Sequence, residues 1–216
     1  MLNMYTRRRS SSFSDINDIE KHDDVCICSI NIENFKEWCV NKSQKHIFDV
    51  MIKFNLFICN FIDNIKGIDK IDLVKDKVLL VGGMNTDCKM TKNRLIKKML
   101  LNVCFEIRDH EDYIKTLFGD DSIFLRIGLH KGTVYRDSLN YPKKMKIFGE
   151  DIHVAKYLDS VCKCNSINVS SSVYELIKSD KLVQKLFRFR TEYYVFESVF
   201  KNNVFVSLYQ KRLICS

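Results

Sequence analysis

The sequence is nearly without proline and alanine: Pro142 and Ala155 are each the single residue of their kind. Asn, Ile and Lys are abundant instead, and the skew reads as base-composition bias rather than chemistry. No run reaches the ~20 apolar residues a bilayer-spanning helix needs. The first residues are polar and charged, without the apolar core of a secretory signal. The nine cysteines are odd in number and scattered. Cys26/Cys28 and Cys162/Cys164 are C-x-C pairs, but no third and fourth ligand follows at zinc-like spacing. A secreted disulfide framework would be shorter and denser in cysteine. Cys26, Cys28, Cys59 and Cys104 lie inside apolar runs. Reduced thiols in a cytoplasmic, soluble chain are therefore expected, unless a longer parent protein supplies an anchor. There is no internal repeat and no linker long enough to divide the chain.

What is present suits one domain. The chain has 216 residues, 46% of them hydrophobic, enough for a sizeable core. Its 35 Lys and Arg against 27 Asp and Glu give a net charge of +8, which favours anionic partners: nucleotides, nucleic acid or acidic lipid. Residues 1–22 read as a basic tail. Within it Arg7-Arg8-Arg9 precede Ser10-Ser11-Ser12, a pattern that fits a basic-directed kinase as well as a solvated end. The folded domain is expected over 23–211.

Periodicity places the elements. Val25 to Asn31 reads as a buried strand. Ser43 to Ile65 reads as an amphipathic helix with Ile47, Phe48, Met51, Ile52, Phe54, Cys59 and Ile62 on its apolar face, stopped by Gly67. Strands at Ile71–Val74 and Val78–Val81 flank the charged turn Lys75-Asp76-Lys77. A helix over Lys92–Ile114 and a strand over Ile123–Leu129 follow. Beyond these come a helix over Glu150–Val161, a strand over Ser166–Val169, a short helix over Ser171–Ile177 and a strand over Val204–Tyr209. The order predicts an α+β fold: a ferredoxin-like split βαββαβ sandwich with a C-terminal helix and strand addition, its helices on one face of a mainly antiparallel sheet.

Three segments carry a family resemblance: SINIENF (29–35), GIDKIDLVKDKVLLVGGM (67–84), and the stretch from Leu125 to Ile177 with LRIGLHKG, KIFGEDIHVAKYLDS and INVSSSVYELI. In this order and spacing they resemble the class III adenylyl/guanylyl cyclase catalytic domain. The resemblance implies the nucleotide cyclase fold and a dimer with active sites between two such domains. It also implies GTP or ATP as substrate and two Mg or Mn ions held by two aspartates of one partner. The ions would activate the attacking 3′-hydroxyl and neutralise the phosphates. An Asn and an Arg from the other partner would position the ribose and stabilise developing charge.

Carried over position by position, the metal aspartates fall on Asn31 and Asp76. The amide of Asn31 can ligate but brings no charge, and Lys75 stands where a glycine is usual. The turn Lys75-Asp76-Lys77 reads equally as a plain solvated turn. The base-reading positions fall on Asp72 and Lys146. Asp72 could accept from guanine N1 and N2, which leans guanylyl; alternatively Asp72 and Lys146 pair and close the pocket. The Asn and Arg positions fall on His153 and Tyr157. His can still donate a hydrogen bond, but Tyr lacks the charge and fork of a guanidinium. Lys156 points about 100° away on the same helix. A phosphate-binding lysine falls loosely on Lys201. Tyr135, Arg136 and Asp137 replace glycines expected in a loop, whereas Gly128, His130 and Gly132 are retained as structural residues.

Neither functional set is complete, so a homodimer would lack an intact site. The expected function is one half of a partner-dependent cyclase in cyclic nucleotide signalling, the alternative an inactive pseudocyclase that dimerises and regulates. A basic RNA-binding module fits the charge but lacks the aromatic platform on its central strands.

Overall fold

The structure is a computed structural model. It describes residues 19–74, 76–137, 146–164, 166–193 and 204–210; of residues 70–74, 191–193, 204 and 210 it describes the backbone alone. The Arg7–Ser12 segment and Lys201 lie outside the described residues.

Strand β1 (Ile19–Glu33) is the spine. Residues 25–32 are buried on both faces because helices cover both. Cys26, Cys28, Ile30 and Ile32 belong to the larger core. Val25 and Ile27 belong to a smaller one on the opposite face. The alternation follows from the two-residue repeat of a strand. β1 pairs antiparallel with β3 (Lys77–Gly82) on one side and β4 (Phe124–Asp137) on the other. β2 (Ile68–Val74) completes that edge as the other arm of the β2–β3 hairpin. Beyond β4 the sheet continues through β6 (Ser166–Ser170), which is parallel to β4, then β8 (Val204–Gln210) and β7 (Phe187–Tyr193). β5 (Lys146–Phe148) pairs with the end of β4. The order β2-β3-β1-β4 is the split βαββαβ arrangement, extended by the C-terminal strands.

The larger core packs α2 (Gln44–Ile62) and the segment from α3 (Lys89–Lys98) to α5 (Glu111–Phe118) against one face. The Ser43 hydroxyl caps α2 by accepting from the His46 amide at 3.2 Å. A short α1 (Phe35–Cys39) precedes it. Gly67, at φ +89°, makes the turn into β2, and its carbonyl accepts from the Gly83 amide at 2.9 Å.

Several expectations are corrected. The helices do not share one face: α6 (Glu150–Ser160) lies on the other, where Ile152 and Ala155 meet Ile27, Val81 and Val134. The helix foreseen over 92–114 is broken. It widens into a π segment (Met99–Phe105), which keeps Met99, Leu100, Val103 and Cys104 all buried, and resumes as α4 (Glu106–Asp109). It breaks again at His110 before α5. β1 reaches back to Ile19, four residues into the stretch read as a tail, because Ile19 to His22 pair with Asp137 to Val134. Tyr135, Arg136 and Asp137 consequently lie in a strand, between β1 and β5, rather than in a loop. The C-terminal part adds α7 (Ser171–Ile177) as foreseen, and α8 (Lys181–Leu186) and β7, which were not.

Candidate functional site

Asn31 and Asp76 stand on neighbouring rungs of one backbone ladder. Asn31 stands directly opposite Lys77, the first residue of β3, and the next rung is an Ile32 amide donating to the Asp76 carbonyl at 2.8 Å. The Asp76 charge is felt at Cys39, whose thiol is pushed up first by burial and then by this carboxylate. Across β1, Asn31 also faces Arg126 on β4. Directly opposed residues project to the same side of a sheet. Asn31, Lys77 and Arg126 therefore form one row on the α6 face, with Ser29 in the next row.

Below that row, α6 supplies a carboxylate that the family pattern did not single out. Asp159 is fully buried. One of its oxygens accepts from the Ser29 hydroxyl at 2.5 Å and the other from the Lys77 ammonium at 3.0 Å. Burial pushes the Asp159 carboxyl up, while the Ser29 bond and the Lys77 and Arg126 charges pull it down less strongly, leaving it raised. Arg126 is itself tied down: it donates to Glu33 at 2.7 Å and to the Ser160 carbonyl at 2.7 Å. The Asn31 side-chain oxygen is buried and has no hydrogen-bond partner. Lys77 is therefore not part of a solvated turn; it is folded under the sheet onto α6.

Gly128 and Gly132 let α6 come this close. A Cβ on Gly128 would stand 2.3 Å from the Ala155 carbonyl oxygen and 2.5 Å from the Asp159 nitrogen. One on Gly132 would stand 2.3 Å from the Asp151 carboxyl. Asp151 fixes the start of the helix, accepting from the Thr133 amide at 2.6 Å and bonding His130 Nε2 at 3.1 Å. The His130 bond and the Thr133 amide hold its carboxyl below the usual range.

His153 and Tyr157 are one helical turn apart on α6. Ile152, Ala155, Leu158 and Asp159 take the buried side, His153 and Lys156 are exposed, and Tyr157 is half-buried. The two family positions thus share an outward face. Lys146 is exposed at the start of β5, opposite Asp137. Asp72 lies on β2 opposite Leu79, after a bulge between Lys70 and Asp72. Its side chain is outside the described residues, and so is the pairing foreseen between Asp72 and Lys146.

Residues 17–198 match the family model described as the adenylate and guanylate cyclase catalytic domain. The chain belongs to that family. It is 25% identical over 166 residues to the germination-specific adenylate cyclase of Dictyostelium discoideum, covering 74% of this chain and 18% of the relative. The chain thus spans under a fifth of that protein. Among solved structures it resembles the guanylate cyclase domain of RhGC from Catenaria anguillulae in complex with GTP: TM-score 0.71, 20% identity, 89% of this chain and 100% of that one. It also resembles a dimeric guanylyl cyclase domain of the RhoGC fusion protein from Blastocladiella emersonii: TM-score 0.70, 21% identity, 90% and 98%. These likenesses establish the nucleotide cyclase fold.

The residues expected from the resemblance to hold metal do not fit a pair of divalent ions. Such ions want several anionic oxygens. Here one position offers a neutral amide, Glu33 is paired with Arg126, and Asp159 is paired with Lys77. Among the described residues, no group of three or more His, Cys, Asp or Glu side chains is gathered to hold a metal. Ser29, Lys77, Arg126 and Asp159 were missed in the sequence. Asp159 left a signal: it falls four residues after Ala155 and seven after Ile152, on the stripe that a helix of this pattern buries.

Proposed function

We propose that this domain is one half of a dimeric nucleoside triphosphate site and depends on a second cyclase domain for its chemistry. The observation that carries this reading is the face of α6. His153 and Tyr157 stand together, one exposed and one half-buried, on the side of the helix turned away from the sheet. A face so placed suits a site completed from outside. Of the two sites a dimer could form, the one served by Asn31 and Asp76 is poor in charge. The surviving site takes its two Mg or Mn ions from the partner's aspartates, and this chain contributes base recognition and the His153/Tyr157 face.

Asp72 favours GTP over ATP, since a carboxylate accepts from guanine N1 and N2. Lys146 and Lys201 are the remaining ligand-facing candidates, for the base and the phosphates. His153 donates a hydrogen bond to the ribose, whereas Tyr157 leaves transition-state charge uncompensated, so turnover is slow. Among the described residues no helix is long and apolar enough to cross a membrane, and we place the domain in the cytoplasm, in cyclic nucleotide signalling. The Lys77–Asp159 pair gives one ground for the second reading, a regulatory pseudocyclase, because it ties down a carboxylate at the metal position.

The test mixes the purified chain with a cyclase domain that carries both metal aspartates, in Mn²⁺ with GTP or ATP. Cyclic nucleotide should form above the partner's own rate, and Tyr157→Arg should raise it roughly tenfold or more. Replacing the partner's aspartates should abolish it. Product that persists without those aspartates overturns the reading; no rise above the partner's rate, even with Tyr157→Arg, leaves the regulatory one.

A further inference from the structure

We propose that Lys77 is a resident cation in the place of the family's metal ions, so that this half of the site binds no divalent ion of its own. The inference rests on the reading above, that Asn31 and Asp76 mark the metal position. The geometry around them argues the rest.

Asn31 sits between two cations in one row, Lys77 on β3 and Arg126 on β4. Each of these already holds a carboxylate: Asp159 at 3.0 Å and Glu33 at 2.7 Å. A metal ion arriving beside Asn31 would meet an uncharged amide and two positive charges. To gain Asp159 as a ligand it would have to displace an ammonium that is tethered to the chain and is only 34% exposed. The tethered ion gives up no translational freedom, while Mg²⁺ or Mn²⁺ must also shed water from a tightly held shell. The pair lies in a mostly dry setting, where attraction between opposite charges is strengthened. The unpartnered, buried oxygen of Asn31 fits the same account. It is an acceptor beside two cations that are both already engaged with carboxylates.

Lys77 has a second consequence. It joins the tip of the β2–β3 hairpin to the last turn of α6, so the Asn31/Asp76 end and the His153/Tyr157 helix form one clamped unit. Lys77 is thus a positioning residue for the whole face.

The test is Mn²⁺ binding by the single chain, read as loss of the free-ion electron paramagnetic resonance signal, with neither partner nor turnover involved. Failure here is therefore separable from failure of the functional reading. The wild-type chain should leave the signal at its buffer level, and Asp76→Asn should change nothing. In the double variant Asn31→Asp with Lys77→Ala, the carboxylate introduced at position 31 would join that of Asp159, released from its ammonium, with Asp76 on the neighbouring rung of the ladder. That variant should take up Mn²⁺ at least about tenfold more tightly than wild type. Wild-type uptake within tenfold of the double variant, or uptake that Asp76→Asn removes, overturns the proposal. So does a folded double variant that binds no Mn²⁺. Should the double variant fail to fold, the wild-type and Asp76→Asn arms decide alone.

Discussion

Asp159 is the residue whose electrostatics are least expected of a surface-derived motif. Its carboxyl is fully buried and sits above its ordinary value because burial outweighs the Ser29 and Lys77 bonds. A group whose folded value is raised contributes stability below its unfolded value, about 3.9 for Asp. That contribution is lost as pH rises through the folded value. The ionised form of Asp159 is therefore the costlier one in the folded chain. Asp159→Asn keeps an oxygen for the Ser29 hydroxyl and leaves Lys77 able to reach water. The melting temperature of this variant should match or exceed wild type at pH 8 and fall below it near pH 4. A large loss of stability at pH 8 would contradict the assignment. Asp151 behaves oppositely, since its carboxyl is held low by His130 and the Thr133 amide and so stabilises above the acid range.

At the scale of elements, α6 joins most of the functional face into one unit. It carries His153 and Tyr157 outward and Asp159 inward, and it lies directly on β4 at Gly128. The contact is with helix backbone, which cannot swing aside like a flexible side chain. Gly128→Ala should therefore push α6 from the sheet and cost about 1–3 kcal/mol. It should also lengthen the Lys77–Asp159 pair in a crystal structure of the variant. An unchanged melting temperature with α6 in place would show that the approach is looser than the geometry gives.

Much of this element was legible. The sequence pattern predicted a helix over 150–161, and the structure has Glu150–Ser160. The family pattern proposed Asn31, Asp76, His153 and Tyr157 as site positions. In the structure Asn31 and Asp76 stand on neighbouring rungs of the β1–β3 ladder, and His153 and Tyr157 are one turn apart on α6. Lys77 escaped because charged residues at a hairpin tip ordinarily face water. Only the third dimension, α6 crossing below β4 and β1, turns it inward. The broken helix at 99–118 escaped for a related reason: a π segment changes the burial period without changing residue type.

At the scale of the molecule, hydrophobic patterning and element order were enough for the β2-β3-β1-β4 sheet, since the central stretch of each strand is apolar and the strands are set off by turns or helices. They were not enough for the ends. The extension of β1 to Ile19 rests on charged and polar residues, Glu20 to Asp24, held by pairs such as Lys131–Asp24 and a bond from Thr133 to Asp23. Such pairs are invisible until β4 is laid alongside. The same holds for the function. The chain has the scaffold of its family. On the assignment proposed above, an amide, an imidazole and a phenol stand at three of the positions where the chemistry needs an acid, an amide and a guanidinium, and two identical copies would repeat those substitutions in both sites.

That is the central claim, and one assay reaches it most directly: cyclic GMP and cyclic AMP formed by the purified chain alone, in Mn²⁺ with GTP or ATP, at concentrations that favour self-association. No product above a no-protein control is expected. Cyclic nucleotide made by the chain alone would contradict it.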